Sequence, residues 1–242
     1  KVAEPIPGST TRRFAALAAR HRRWLVPGSL YERDGDLVYN TAVVFSPEGD
    51  LVARYRKLFP WRPYESTAPG DRLCTFAIPG VGRLGICICY DMWFPEVCRG
   101  LGLQGAEVIL HPSFTYTVDR PQEQVLARAN ALCNQAYFID VNAIGGAGGG
   151  LSIFVDPNGR DLQAAGQHET ILTEVLDLDL VSSVRRNGTL GLSPLLKQFR
   201  EQEVLARGLL SDVDCSWLEE LGPLRMRRFP FAARTEPATA GE

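Results

Sequence analysis

The sequence predicts an α/β fold, and three features carry that prediction. Short apolar runs that read as strands alternate with amphipathic, helix-like segments along the chain, and the two kinds do not segregate. One apolar run, residues 84–88, reads as a buried strand that ends at Cys89. A few residues later Phe94-Pro95-Glu96 looks like a helix start, with Pro at the first helical position and an acid in the first turn. The chain has 242 residues, which makes one large domain the default, and it shows no internal repeat and no domain linker.

Taken in order, residues 11–22 read as an amphipathic helix: Ser9, Thr10 and Thr11 are N-cap candidates, and Phe14, Leu17 and Ala18 share a face. Residues 24–29 and 37–45 read as strands. Ser46-Pro47-Glu48-Gly49-Asp50 is a turn, and a strand follows at 51–55. Asp34-Gly35 marks a hairpin, which places Glu32 beside a turn and in solvent. Residues 73–79 and 83–88 form a strand pair bent at Gly80-Val81-Gly82. A helix is expected at 95–104, a strand at 107–111, a helix rich in Ala, Leu, Arg and Gln at 122–135, and a strand at 137–142. Residues 145–150 are a glycine-rich loop; strands follow at 151–156 and 171–177, with the turn Asp156-Pro157-Asn158-Gly159 after the first. Beyond Asp179 the chain reads as helical and then Arg/Pro-rich.

Composition narrows the function classes. Hydrophobic residues make up 45% and charged ones 22%, ordinary for a soluble globular protein. A net charge of −2 gives no electrostatic case for nucleic acid or an anionic membrane. No uninterrupted apolar run approaches the roughly 18 residues a membrane span needs. No secretory signal is visible, although the chain opens at Lys1 without Met, so an upstream leader stays open. The six cysteines, Cys74, Cys87, Cys89, Cys98, Cys133 and Cys215, are irregularly spaced in a chain too large to need disulfide staples; this favours reduced thiols and a cytoplasmic setting. Cys87, Cys98 and Cys133 are expected in the core. Cys87-Ile88-Cys89 suggests a metal or redox pair, but no Cys/His pair at zinc-finger spacing accompanies it, and no metal is expected. The glycine-rich loop lacks the Lys-Ser/Thr of a phosphate-binding loop, and a strand rather than a helix follows it, so it reads as a permissive loop near a pocket.

Two clusters carry chemistry. Cys89 sits where a core strand breaks into a turn before a helix, a place that holds a nucleophile rigidly and leaves it reachable. A lone Cys at a strand end is most often a small buried apolar residue. The second cluster is Tyr55-Arg56-Lys57-Leu58-Phe59-Pro60-Trp61-Arg62-Pro63-Tyr64-Glu65. Arg54 and Arg56 read as solvated surface charges, whereas Lys57 directly precedes an apolar and aromatic run and reads as covered. A buried lysine must be paired, and Glu65 is the nearest partner after that run. A buried cation lowers the pKa of a neighbouring thiol and stabilises the oxyanion of a tetrahedral intermediate.

These blocks resemble the nitrilase superfamily, the carbon–nitrogen hydrolases. Gly-Ile-Cys-Ile-Cys-Tyr-Asp-Met-Trp-Phe-Pro-Glu, residues 85–96, resembles its cysteine signature; Tyr39-Asn40-Thr41, Arg128-Ala129-Asn130, Val141-Asn142 and Gly150-Leu151-Ser152 are further matches, and the similarity spans residues 4–186. The resemblance implies a Glu-Lys-Cys triad with Cys89 as nucleophile and Lys57 as electrostatic stabiliser. It implies that Glu65 is the additional glutamate that holds the lysine and helps position substrate. The triad's own glutamate, the general base, normally stands upstream of a segment like Ala3-Glu4-Pro5-Ile6-Pro7-Gly8. The chain begins at that segment, so the first strand, the first helix and the base are expected to be missing from it, by clipping, and the chain alone is expected to be inactive. Glu4 follows the family's position and does not fill the role.

Cys89-Tyr90-Asp91, and the block from Pro60 to Glu65 followed by Pro69-Gly70, resemble the aliphatic amidase and formamidase branch rather than the nitrile-hydrolysing one. The implied reaction is hydrolysis of a small amide to a carboxylic acid and ammonia through a thioester on Cys89. The backbone N–H of Tyr90 would join Lys57 at the oxyanion, water would be the second substrate, and no cofactor enters. N-carbamoyl amide and nitrile hydrolysis are the alternatives within the superfamily; a catalytically dead scaffold and a Cys87/Cys89 redox protein are those outside it. Trp93, Phe114 and Tyr116 are pocket candidates against ordinary aromatic packing, and His111 either contacts substrate or caps a loop. Asp91 and Glu96 read as local hydrogen-bonders. The implied fold is a four-layer αββα sandwich over 1–242, pairing into an eight-layer homodimer, with residues 188–242 as an extension that reaches the partner.

Overall fold

Two β-sheets pack face to face in the computed structural model, which describes residues 2–145, 148–202 and 216–223. The smaller is an antiparallel meander of β1 (Ser29–Asp34), β2 (Leu37–Phe45) and β3 (Leu51–Arg56). The larger contains β4 (Cys74–Ile78), β5 (Gly82–Ile86), β6 (Val108–Ser113) and β7 (Tyr137–Asn142). A two-residue ladder, β8 (Ile144–Gly145) with β9 (Gly148–Gly149), then precedes β10 (Ile153–Val155) and β11 (Asp161–Ala164). The spatial order of the larger sheet is β11-β10-β7-β6-β5-β4. Its centre, β5-β6-β7, is parallel, so each step across it needs a helical crossover. α2 (Pro95–Leu103) supplies the first and α3 (Arg120–Asn134) the second.

The layering follows from the two-residue period of the strands. In β2, Ala42 and Val44 join Tyr55, Phe76, Ile86 and Ile88 between the sheets. Their neighbours Val43 and Phe45 turn the other way, onto Phe14, Ala15 and Ala18 of α1 (Ser9–His21). Both faces are therefore covered, which is why 42–45 is an unbroken apolar run rather than an alternation. The far face of the larger sheet presents Cys87, Ile109, Phe138, Ile153 and Val155 to Val97, Cys98 and Leu101 of α2 and Ala127 and Ala131 of α3. Helix, sheet, sheet, helix is the expected αββα order. Each fully buried aliphatic or aromatic side chain in these layers contributes about 1.5–3 kcal/mol.

Two further helices close the ends. α4 (Leu178–Asn187) lays Val181 on Val108 and Tyr137. α5 (Leu195–Glu201) and a 3-10 turn at Ser216–Leu221 bring Leu196 and Leu218 onto Leu103. Arg185 of α4 is buried, and its guanidinium donates to the carbonyls of Gln135 and Ala106, which end α3 and follow α2. A cation there satisfies carbonyls that the helices leave unpaired. Burial pulls that guanidinium down to about 10. At the other end of the molecule the Glu4 carboxylate accepts from the backbone N–H groups of Ser9 and Thr10 and so caps α1.

Several expectations need correction. Residues 24–29 are not a strand: only Leu25 bridges to Phe45, and Pro27 and Gly28, the latter at φ +101°, break the run. The strand is β1 instead, whose charged composition hid it. Glu32 is not solvated; it is 1% exposed and accepts from Arg54, Arg56 and Thr41. Those hydrogen bonds outweigh its desolvation and hold its carboxyl below the usual range. Arg56 is accordingly a partly buried partner rather than a solvated surface charge, and it stacks 3.8 Å over the Tyr39 ring. Residues 171–177 form no strand: Ile171 and Val175 are 90% and 89% exposed, and the polar β11 pairs with β10 instead. Cys133 is exposed, not core, whereas Cys87 and Cys98 are buried. The helical reading beyond Asp179 is met among the described residues by α4 and α5; residues 203–215 and the Arg-rich stretch 225–234 lie outside the described residues. Among the described residues no helix is long and apolar enough to cross a membrane.

Candidate active site

Cys89 begins a 3-10 turn, Cys89–Trp93, inserted between the end of the β5 run and α2. Its φ is +48°, a left-handed conformation that costs a residue with a side chain about 1–3 kcal/mol and persists only when the surroundings over-determine it. Asp91 does part of this work. Its buried carboxylate accepts from the N–H of Ile88 (2.9 Å), the N–H of Phe59 (2.9 Å) and the Tyr55 hydroxyl (2.7 Å). The residue before Cys89 and the loop after Lys57 are thus fastened to one side chain. Burial pushes the Asp91 carboxyl up despite these donors. Asp91 is a hydrogen-bonding hub, as expected; Glu96 is exposed at the start of α2.

Lys57 follows β3 directly and is 2% exposed. Its backbone is held on both sides, the N–H donating to the Asn40 carbonyl and the carbonyl accepting from Gly70 (each 2.8 Å). Gly70 must be glycine for this approach, because a Cβ there would lie 2.2 Å from the Arg56 carbonyl oxygen. The Lys57 ammonium donates to Glu65 Oε2 at 2.7 Å. Glu65 also accepts from the N–H of Trp61 (3.0 Å), the Asn40 amide (2.9 Å) and the Thr67 hydroxyl (3.1 Å). Burial would raise its pKa, but the Lys57, Trp61 and Asn40 donors outweigh burial and hold it below the usual carboxylate value.

That depression has a testable sign. The stability Glu65 contributes is present in full above its unfolded value of about 4.3, and it is lost as pH falls through the lowered folded value. Thermal midpoints of the parent and of Glu65→Gln, measured from neutral pH downward, should therefore converge below pH ~4, the parent losing more. Parallel curves would show that the clamp carries no such charge.

Lys57, Glu65 and Cys89 all line one cavity of about 1120 Å³ between the sheets. Phe114 and Tyr116 line it too, both half exposed, as do Trp61 and Tyr64. Trp93, expected there, does not; its indole N–H points to Glu123 at 3.4 Å. His111 borders the cavity, but its side chain is fully buried, with one ring nitrogen 2.8 Å from Asp140 Oδ1 and the other 2.9 Å from the Cys89 carbonyl. Its contact is with the Cys89 backbone. Cys89 Sγ lies 3.9 Å from the Thr115 hydroxyl. Cys87 belongs to the helix-facing core and Cys89 to the edge of the inter-sheet core, so the two thiols do not act as a pair.

Sequence reasoning missed Thr115, Arg120, Glu123 and Asp140. Arg120, Glu123 and Asp140 are buried polar groups on elements read from their apolar residues, Thr115 sits in the loop after β6, and only Arg120 and Glu123, three apart on one helix, left any pattern to read. Among the described residues that line the cavity, Glu65 is the one carboxylate, and it is already engaged by four donors.

A thiol on a strained turn and a buried, carboxylate-clamped amine thus open onto one cavity. Residues 1–186 match the carbon-nitrogen hydrolase family, and the chain belongs to it. It is 32% identical over 214 residues to the omega-amidase NIT2 of Mus musculus, covering 82% of this chain and 75% of that protein. Its fold matches Saccharomyces cerevisiae Nit3, a member of branch 10 of the nitrilase superfamily, with a TM-score of 0.68 and 34% identity over 76% of this chain and 71% of that one. It also matches a glutamate-to-glutamine mutant of the amidase from Nesterenkonia sp. AN1, in which the acetamide moiety of fluoroacetamide is covalently added at the active-site cysteine. There the TM-score is 0.62 and the identity 26%, over 66% of this chain and 63% of that one.

Proposed function

We propose that this protein hydrolyses small linear amides to a carboxylic acid and ammonia, with Cys89 as nucleophile. The observation that carries the reading is the shared cavity: Cys89 at the start of its turn and the Glu65-clamped Lys57 open onto the same space. The Cys89 sulfur attacks the amide carbon, and the carbonyl electrons move onto oxygen. Lys57 and the backbone N–H of Tyr90 stabilise that oxyanion. Collapse breaks the carbon–nitrogen bond, the proton given up by the Cys89 thiol passes to the nitrogen, which leaves as ammonia, and a thioester remains on Cys89. Water then adds to the thioester carbon, and the acid and the free thiol are released. Glu65 holds Lys57 in place, and its four donors make it a poor base. The reading assigns the general base to no residue of this chain. The amidase names of the relatives support the amide bond as the target.

The test is ammonia release by the full-length protein from a panel of small aliphatic amides, set beside the matching nitriles and N-carbamoyl compounds. The reading expects turnover of amides. Turnover confined to nitriles or carbamoyl compounds would move the protein to another branch of the same chemistry, and turnover of none would favour a scaffold role.

A further inference from the structure

His111 lies outside the reaction scheme, yet its buried ring bonds directly to the Cys89 backbone. Its two ring nitrogens face two acceptors. One is the Cys89 carbonyl at 2.9 Å, and the other is Asp140 Oδ1 at 2.8 Å. A carbonyl can only accept. Asp140 must accept as well, because its other oxygen is paired with the Arg120 guanidinium, which calls for an ionised carboxylate. Both ring nitrogens therefore carry a proton, and the ring is an imidazolium.

The groups that face it come from every packed element: Asp140 from β7, Arg120 and Glu123 from α3, and Cys89 from the 3-10 turn, while the uncharged Phe138 ring sits 5.4 Å away. Lys57 and Glu65 border the same cavity. Two cations, His111 and Arg120, alternate with two anions, Asp140 and Glu123, so the buried chain is neutral. Its far end returns to the thiol: Glu123 Oε1 accepts from the Thr115 hydroxyl at 2.9 Å, and that oxygen lies 3.9 Å from Cys89 Sγ.

We propose that His111 is a positioning residue, an imidazolium clamped between the Asp140 carboxylate and the Cys89 carbonyl, which holds the nucleophile's backbone in its left-handed conformation and so aims Sγ into the cavity. The proposal rests on Cys89 being the nucleophile. It explains why a residue without glycine's freedom sits at φ +48°: a charge-assisted hydrogen bond at its carbonyl offsets the strain. It also explains the direction of the His111 pKa. Desolvation pushes it down, but the Asp140 hydrogen bond and charge, with the Cys89 carbonyl, carry it above the ordinary histidine value.

The first test needs no variant fold. The chain has three histidines, His21, His111 and His168. Nitrogen NMR of the labelled full-length protein should show one ring with both nitrogens protonated at pH ~8, above the ordinary value near 6.5. That signal should vanish in His111→Gln. A neutral, singly protonated His111 at pH ~8 overturns the proposal. The second test separates positioning from packing. His111→Leu should lower kcat on a small amide by about 100-fold with KM little changed, and His111→Gln, which keeps a donor for the Cys89 carbonyl, should recover part of the loss. Alkylation of Cys89 by iodoacetamide should slow in the same order. Equal alkylation rates in parent and His111→Leu overturn the proposal. If His111→Leu does not fold, the Gln variant and the parent spectrum decide. If no amide is turned over, the proposed reaction fails, while alkylation and ring protonation still decide the role of His111.

Discussion

Replacing Cys89 with Ala in the full-length protein should abolish amide turnover and leave the fold intact. The substitution removes one sulfur atom whose recorded contact is a weak one, 3.9 Å to the Thr115 hydroxyl. The cost in stability should therefore stay within about 1 kcal/mol. The backbone at φ +48° strains Ala as it strains Cys, so no new conformational cost arises. The chemistry, in contrast, loses the atom that would form the thioester, and no other cysteine among the described residues lines the cavity. Two other cysteines serve as controls. Cys87→Ala empties part of the helix-facing core and should lower the thermal midpoint while keeping activity, whereas Cys133→Ala, at an exposed site, should change neither. Near-normal turnover in Cys89→Ala would contradict the mechanism.

Lys57→Met should produce the second-largest effect. Met keeps most of the length and the apolar stem and deletes the charge, so packing at this buried site is largely preserved. Acylation should fall by roughly 10²–10³, the usual consequence of losing one oxyanion donor. Some stability is lost as well, because Glu65 keeps only the Trp61, Asn40 and Thr67 donors. The double variant Lys57→Met with Glu65→Gln separates the two effects. Neutralising the stranded carboxylate should recover stability and leave the rate where Lys57→Met put it. If the double variant regained activity, Lys57 would be structural. If acylation of Cys89 ran at the parent rate in Lys57→Met, the oxyanion assignment would fall.

The parts of this molecule that were legible in the sequence are those where one physical demand dominates. The apolar run 42–45 needed two buried faces and found them. Pro95 starts α2 because its missing N–H is free to be absent there. Lys57 and Glu65 were readable as a pair because a charge followed by an aromatic run must be neutralised nearby. Where two demands compete, the reading failed. β1 is a strand in which polar and charged residues make up much of the run, and Glu32 within it is buried only because Arg54, Arg56 and Thr41 arrive from neighbouring strands. No local pattern announces partners that are far apart in sequence. The same holds for the chain from Glu123 through Arg120 and Asp140 to His111, which joins α3, β7 and β6. Residues 171–177 show the converse error: apolar residues are present in pairs, but Ile171 and Val175 stay exposed, and the edge strand β11 reaches the segment through the Gln163 side chain rather than a backbone ladder.

The most direct test of the central claim is mass spectrometry of the full-length protein quenched during turnover of a small amide. The account predicts an acyl group, of the mass of the substrate less ammonia, on the peptide that contains Cys89. The adduct should be absent from Cys89→Ala and scarce in Lys57→Met. Amide turnover in the parent with no acyl group on Cys89, or with the group on another cysteine, would contradict it.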